Sequence, residues 1–447
     1  TLMPWILVED IDIAADDTIG DVVKAVKEQL LAIPNKGMGY GMLRYLDSET
    51  ADELSRLSSG QISFNYLGRE NTGEVPAGID GWLPSTDFDD LEVIGDADMP
   101  VTKAVDINAI VRGGGATSEL VATFAFPRTV LSRADVTELA DLWVAAMSAL
   151  AAHVVDGTAR GLTPSDVPLV TVTQNDIDAI ETRYPSTADI WSLAPLQSGL
   201  QFHALLAGAS LDVYTMQMVL TLEGTVDSAR LRGAAQGLLD RYENLRAAFL
   251  STGDGASVQV VVDDVDVPWS EHDLSDLAEA ERDEAYEQLR VAEQATQFDI
   301  AAAPLVRFTL VKLADGEYRL LFANHHILID GWSMPLLMKD LLVLYAVGGD
   351  TSALPRVASY RTFLSWISRQ NHAESAQVWA RALEDAPEPT LVAPASVDRE
   401  ITSRSGAIDI TLSAELSESL AALGARLGVT VNTLVQGAWS AVLSSLV

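Results

Sequence analysis

Cysteine does not occur once in the 447 residues, and that absence excludes disulfides, thiolate nucleophiles and thiolate metal sites together. Basic residues are scarce: 29 Lys and Arg face 64 Asp and Glu, a formal net charge of −35. A surface of that sign repels phosphate backbones, so nucleic acid is not an expected partner. The acidic residues are spread along the chain, which makes them a solvated surface. No apolar run reaches the ~20 residues needed to span a bilayer, and no charged-then-apolar signal opens the chain. A membrane partner is therefore not expected, and the expected location is cytoplasmic. Apolar material is plentiful, at 48% of residues, and the chain is long enough for roughly two to four compact units.

One stretch concentrates ionisable chemistry in this background: Asn324-His325-His326-Ile327-Leu328-Ile329-Asp330-Gly331-Trp332-Ser333. It follows a strand-like run, Tyr318 to Ala323, and precedes a helix-like run, Met334 to Tyr345. Two histidines at a strand exit sit on rigid backbone with side chains free to face a cleft. Asp330, with Gly331 behind it, predicts a tight turn that folds the carboxylate back on its own loop. Histidine exchanges protons near neutrality and so suits acyl transfer. A bare His-His pair also reads as two core histidines on a structural loop. The full His-His-x-x-x-Asp-Gly string resembles the active-site motif of the condensation domains of nonribosomal peptide synthetases.

The N-terminal part extends the resemblance. The chain opens on strand-like Thr1 to Val8, and an acidic helix start at Asp16, Asp17 and Thr18 leads into a stripe of Ile19, Val22, Val23, Val26 and Leu30. This predicts a helix that packs one face on a core and stops at Pro34. Pro34 to Gly41 then carries three glycines, Gly37, Gly39 and Gly41. It lacks the Gly-Lys-Ser/Thr ending of a phosphate loop. Ile62, Phe64 and Tyr66 alternate as one face of a strand and, on pattern alone, read as an ordinary buried strand. Taken together, Pro34 to Gly41 and Phe64 to Arg69 resemble the last two signature motifs of a synthetase epimerization domain. That family places Asn65 and Tyr66 near its active site. Met3-Pro4 departs from it, because the family has a tyrosine before the proline. The resemblance implies that residues 1–162 are the C-terminal lobe of an epimerization-type domain whose catalytic histidine and glutamate precede residue 1. Within this lobe, Asp135 to His153 is a helix with Val136, Leu139, Leu142, Trp143, Met147 and Leu150 on its apolar stripe. Pro164 and Pro168 then give a semi-extended linker, Asn175 to Arg183 a short helix, and the domain junction is expected across 163–188.

Leu193 to Leu200 resembles the opening condensation motif, and Phe202-His203 the subtype that follows epimerization domains; Pro195 suits the first helical turn. His203 reads as a half-buried helix histidine. Thr215 to Glu223 is a strand, and a helix follows from Ser228. Arg241 to Arg246 matches the second condensation motif except at Tyr242, where the family usually has histidine. Ser257 to Val262 reads as part of a hairpin, and an acidic helix spans about Asp276 to Gln297. Arg307 lies alone in a strand of apolar residues and needs an acidic partner. Asp330 is the expected one, with Arg246 and Arg241 as rival claimants to that aspartate. Tyr360, Phe363 and Trp366 predict a helix packed by three aromatics, Asp385 to Pro394 a crossing between lobes, Ala407 to Leu412 a strand, and Leu420 to Trp439 two helices.

The fold implied is α/β (α+β): the two-lobed, chloramphenicol-acetyltransferase-like condensation fold, with mixed sheets flanked by helices. Residues 189–372 would be the N-terminal lobe of a condensation domain, and 373–447 the crossing and the start of its C-terminal lobe. The implied function is peptide-bond formation between a carrier-bound acyl or peptidyl thioester, D-configured at its end, and a carrier-bound aminoacyl thioester. The implied catalytic residues are His326 and the Gly331 N–H, supported by His325, Asp330, Arg307, Arg246 and Arg241. The implied partners are donor and acceptor peptidyl carrier domains and a neighbouring adenylation domain. Phosphopantetheine arrives on the carriers; no metal or directly bound cofactor is expected. Because neither catalytic domain is whole, the isolated chain is expected to be inactive. The alternatives are epimerization of a carrier-bound residue, a coenzyme-A acyltransferase, and a non-catalytic interdomain platform.

Overall fold

The computed structural model describes residues 18–57, 60–69, 103–112, 118–155, 161–207, 214–385 and 408–446. Met3-Pro4, the expected opening strand and nearly all of the expected crossing after Asp385 lie outside these residues. The chain divides into two compact units, Thr1–Asp166 and Val167–Val447.

In the first unit, α1 (Ile19–Ala32) starts at a capping box: Thr18 accepts the Asp21 N–H, and the Asp21 carboxylate accepts the Thr18 N–H. Asp21 thus serves the helix start, and the expected Asp16 and Asp17 lie outside the described residues. No residue of α1 is buried, so its expected packing face is only half covered. The glycine-bearing stretch is a turn in which Asn35, Lys36 and Gly37 take φ of 49°, 53° and 77°, followed by α2 (Met38–Tyr45) and α3 (Ala51–Ser55). A sheet of order β1-β2-β3 follows. Its strands are β1 (Ile62–Arg69), β2 (Val105–Arg112) and β3 (Glu119–Ala125), with β1 parallel and β3 antiparallel to β2. The central strand buries Val105, Ile107 and Ala109, whereas Ile62, Phe64 and Tyr66 of edge strand β1 are each more than half exposed. The expectation of a buried strand there is corrected: the alternation marks a face that remains open. Helix α4 (Arg133–Val155) sets Trp143 edge-on to Phe124 at 6.1 Å. It buries Val136 but leaves Leu142 and Met147 exposed. Lys27 of α1 pairs with Asp166 at 2.5 Å.

The second unit begins with a segment expected to be linker. Much of it is folded: Val167 is buried, and α5 (Gln174–Arg183), capped by Thr173 and Asp176, buries Ile177 and Ile180. In chain order come β4 (Thr187–Ser192), α6 (Pro195–Ala207), β5 (Thr215–Glu223), α7 (Ser228–Arg241), β6 (Ala247–Ser251), β7 (Ser257–Val262), β8 (Trp269–Asp273), α8 (Glu279–Ala295), β9 (Val306–Ala314), β10 (Glu317–His325), α9 (Ser333–Val347), α10 (Tyr360–Ser368), α11 (His372–Ala382), α12 (Ala414–Leu427) and α13 (Val431–Leu446). Two sheets result, a four-stranded sheet β5-β10-β9-β8 and a wholly antiparallel three-stranded sheet β4-β7-β6. The former is antiparallel except for the β8–β9 pair.

Helices α7 and α9 cover the four-stranded sheet. Leu231, Leu238 and Leu239 from one and Leu337, Leu341 and Leu344 from the other share a core with Phe308, Leu320 and Phe322. Gly237 lets the two helices close, since a Cβ there would stand 3.3 Å from Leu344 Cδ1. Two further expectations are corrected. On α10 the buried residue is Leu364; Tyr360 packs toward Trp191, while Phe363 and Trp366 stack on each other and stay exposed. Residues 408–412 form no strand, and Ile408 and Ile410 are exposed. The fold class is nonetheless the expected one, mixed α/β with sheets flanked by helices.

Candidate active site

The histidine loop leaves β10, a central strand paired on both sides along nearly its whole length. Its anchors are apolar and local: Ile327, Leu328 and Ile329 are all buried in the α7–α9 core. Burying three consecutive residues takes their backbone carbonyls out of water, and each must find a donor. Each does so from a side chain. Gln197 Nε2 donates to the Ile327 carbonyl (3.0 Å), Asn244 Nδ2 to that of Leu328 (3.3 Å), and His326 Nδ1 lies 2.8 Å from that of Ile329.

The last contact fixes the chemistry of His326. A carbonyl only accepts, so Nδ1 carries the proton and Nε2 is the basic nitrogen of the neutral ring. The His326 backbone N–H donates to Tyr214 (2.9 Å), and the side chain is half-buried. His325 has the opposite character. It is fully buried, its Nδ1 accepts the Ile327 N–H at 3.1 Å, and its ring lies 6.2 Å from that of Tyr214. It braces the turn. His203, expected half-buried, is exposed, with its ring 6.0 Å from Tyr214.

Asp330 folds back on its own loop, as the turn predicted, but its partner is not an arginine. Its Oδ1 accepts the Ser333 N–H (2.9 Å) and the Ser333 hydroxyl (2.8 Å). Those two bonds, the hydroxyl's first, hold its carboxyl below the usual carboxylate range. Three expected pairings of Asp330 are thereby corrected. Arg307 pairs with Glu293 (2.9 Å), also donates to the Glu293 and Thr296 carbonyls, and lies over the Phe298 ring. Arg246 pairs with Asp263 (2.6 Å). Arg241 pairs with Asp340 (3.0 Å), which also accepts the Tyr242 hydroxyl at 2.7 Å. In each case a carboxylate on a packed neighbour reaches the guanidinium, whereas Asp330 is exposed and turned to Ser333.

Gly331 is exposed, and a Cβ there would meet nothing within 4 Å. Neither crowding nor a left-handed φ demands glycine at this position. Next to it Trp332 is 87% exposed. Asn65 and Tyr66 belong to the first unit, on the exposed edge strand β1, where Asn65 donates to Asn108 (3.1 Å).

Sequence reasoning passed over the amides that hold the loop. Gln197 is 7% and Gln259 0% exposed. Gln259 Nε2 donates to the Ser192 carbonyl (2.7 Å) and to Gln197 Oε1 (3.3 Å). The available signal was a glutamine inside the valine-rich strand β7, an unpromising place for an amide without a polar task. Among the described residues no cluster of His, Cys, Asp and Glu could hold a metal ion, and no helix is long and apolar enough to cross a membrane.

Among known proteins, a linear gramicidin synthase from Brevibacillus parabrevis is 32% identical over 432 residues, which are 95% of this chain and 5% of that protein. Bacitracin synthase 3 from Bacillus licheniformis is 28% identical over 450 residues, 99% of this chain and 7% of its own length. The chain therefore spans less than a tenth of either relative. A solved starter condensation domain of rhizomide synthetase, in complex with C8-CoA, aligns with 49% of this chain and 50% of its own at 22% identity and a TM-score of 0.43. The profile described as "Condensation domain" matches residues 187–447, the stretch that contains β4, α6 and the whole histidine loop. The chain belongs to the condensation domain family.

Proposed function

We propose that this chain is the condensation segment of a nonribosomal peptide synthetase and that it forms a peptide bond between two carrier-bound substrates. The donor is an acyl or peptidyl thioester with a D-configured end, the acceptor an aminoacyl thioester. Each hangs on a carrier domain through phosphopantetheine, and an adenylation domain charges the acceptor. In this reading residues 1–162 are the C-terminal lobe of an epimerization-type domain, 163–188 the junction, 189–372 the condensation N-terminal lobe, and 373–447 the crossing and the start of its second lobe.

The observation that carries the reading is the His326 ring, tied at Nδ1 to the Ile329 carbonyl. The acceptor nitrogen attacks the thioester carbon, a C–N bond forms, and the carbonyl oxygen becomes an oxyanion. Nε2 of His326 accepts the proton that the nitrogen sheds. Collapse breaks the C–S bond, and the departing thiolate takes that proton back from the imidazolium. An unperturbed α-amine has a pKa of about 7.7–8.0, so a useful fraction is neutral at pH 7 and needs orientation more than activation. The backbone N–H of Gly331, on an open and exposed turn, is the candidate donor to the oxyanion.

His326→Ala in the full synthetase tests this, with both carriers loaded and single-turnover product followed by mass spectrometry. The expected loss is on the order of 10²–10⁴-fold, the usual contribution of a positioned acid–base group. Product formation at the parental rate would refute the role and favour a non-catalytic platform.

A further inference from the structure

We propose that Gln197 is a positioning residue for His326, acting through the carbonyl of Ile327. The inference rests on His326 being the reacting histidine.

The His326 ring is set by three fixed points. Its backbone N–H is held by the Tyr214 carbonyl at 2.9 Å, its Nδ1 by the Ile329 carbonyl at 2.8 Å, and the peptide of the next residue by Gln197 at 3.0 Å. The first two lie on either side of the turn. The third ties the turn itself to the start of α6, as Asn244 ties it through the Leu328 carbonyl. Gln197 is suited to that task because its own orientation is settled. It is the third residue of a proline-started helix, and its Oε1 reaches back to accept the Ala194 N–H at 2.9 Å, as the third helical residue of a capping box does. The same oxygen accepts Gln259 Nε2 at 3.3 Å, and Gln259 is pinned in turn to the Ser192 carbonyl. With Oε1 engaged twice, the amide cannot flip, and Nε2 is directed at Ile327.

A chain of two buried amides therefore runs from β4 and β7 through α6 to the catalytic turn. Side-chain amides hold the turn because its backbone, between a strand end and a helix start, has no ladder partners for these carbonyls. Losing Gln197 leaves the Ile327 carbonyl buried without its donor, and rotation of that peptide relieves the loss at the expense of the ring's aim. Displacement of a reacting group by about 1 Å costs on the order of 10²-fold in rate.

The test replaces Gln197 by methionine, which keeps the length and loses both the donor and the acceptor. It is made in the full synthetase with both carriers loaded, beside His326→Ala. Three quantities are read: the single-turnover rate at saturating carrier, the carrier concentration for half-maximal rate, and the 15N shifts of the His326 ring. The expected result is a drop in the first of on the order of 10²-fold, no change in the second, and displaced ring signals. If His326→Ala abolishes condensation while Gln197→Met keeps the parental rate and ring signals, Gln197 is a helix cap alone and the inference falls by itself. Parental activity in His326→Ala removes the reading beneath it and the inference together. Should Gln197→Met not fold, Asn244→Ala frees the neighbouring Leu328 carbonyl at a half-buried position. It should displace the same signals in the same way; unmoved signals there overturn the proposal.

Discussion

Replacing Asp340 by alanine would remove the carboxylate that joins α9 to Arg241 at the end of α7. Asp340 is 8% exposed and accepts from Arg241 and from Tyr242. The side chains of Arg241 and Asp340 are 10% and 11% exposed, so solvent screens them little. Burial and the adjacent carboxylate push the Tyr242 hydroxyl above its ordinary range, keeping it protonated as a donor. In the variant the Arg241 guanidinium keeps the Pro355 carbonyl but loses its carboxylate. Stranding one member of a buried pair costs about 3–5 kcal/mol. At about 2–4 °C per kcal/mol for a domain of this class, Tm should fall by on the order of 10 °C. Removing both charges in Arg241→Leu/Asp340→Leu should restore much of that loss, because no charge is left unpaired. Asp330→Ala is the control: that residue is exposed and bonds to Ser333 within its own loop, so it should cost no more than a lost cap, about 1 kcal/mol. Thermal melting by calorimetry decides. An Asp340→Ala protein that melts within about 1 °C of the parent would refute the reasoning, since at about 2–4 °C per kcal/mol that shift is far too small.

Arg307→Met should lower Tm through its stranded partner Glu293, by less than the ~3–5 kcal/mol of a fully buried pair because both side chains keep some exposure (16% and 20%). Single-turnover assays should show its effect on condensation to be no larger than its effect on folded fraction. Gly331→Ala retains the backbone N–H and its Cβ would meet nothing within 4 Å, so it should melt within about 0.5 kcal/mol of the parent, as surface substitutions do, and keep its activity; a large loss would contradict the open geometry of this turn. The depressed pKa of Asp330 fixes a sign. A carboxylate whose folded pKa lies below its unfolded value of about 3.9 contributes stability above that value and loses it as pH falls through the folded pKa. The Tm difference between the parent and Asp330→Asn should therefore be flat from about pH 5 to 8 and shrink only below about pH 4; a slope near neutrality would contradict the bond pattern.

The parts of the fold readable from sequence are those that periodicity decides. β5 spans the predicted Thr215–Glu223, and α7, α8, α9 and β10 lie within a few residues of expectation; α7, α9 and β10 bury a stripe that only one period explains, whereas α8 buries no residue fully. Periodicity does not say whether a face is covered. Ile62, Phe64 and Tyr66 alternate as well as any buried strand and stay open on a sheet edge, and Ile408 and Ile410 alternate with no sheet at all. Ion pairing is harder still. An arginine in an apolar strand announces that a carboxylate is near, but the choice among many belongs to tertiary packing. Arg307 takes Glu293 from α8, a helix whose acidic sequence reads as a solvated face. The histidine loop is visible because its residues are chemically unusual together. Its supports are harder to see: Gln197 and Asn244 lie inside the two stretches that resemble condensation motifs, but uncharged amides carry neither a period nor a charge to assign them a task, and Gln259 lies in neither stretch.

The kind of partner given to His326 bears on what the site is built to do. A carboxylate behind an imidazole stabilises the imidazolium and helps a hydroxyl that must lose its proton to become nucleophilic. Here the partner at Nδ1 is a backbone carbonyl, and the one carboxylate in the loop is turned to Ser333. The carbonyl fixes the tautomer and the ring plane and adds no charge. Such a base is suited to a nucleophile that arrives neutral and sheds its proton only as the new bond forms. An amine is such a nucleophile; water, an alcohol or a carbon acid calls for more. The same economy explains the supports: where orientation is the contribution, the turn has to be held stiffly, and buried neutral amides do so without placing a charge beside the ring.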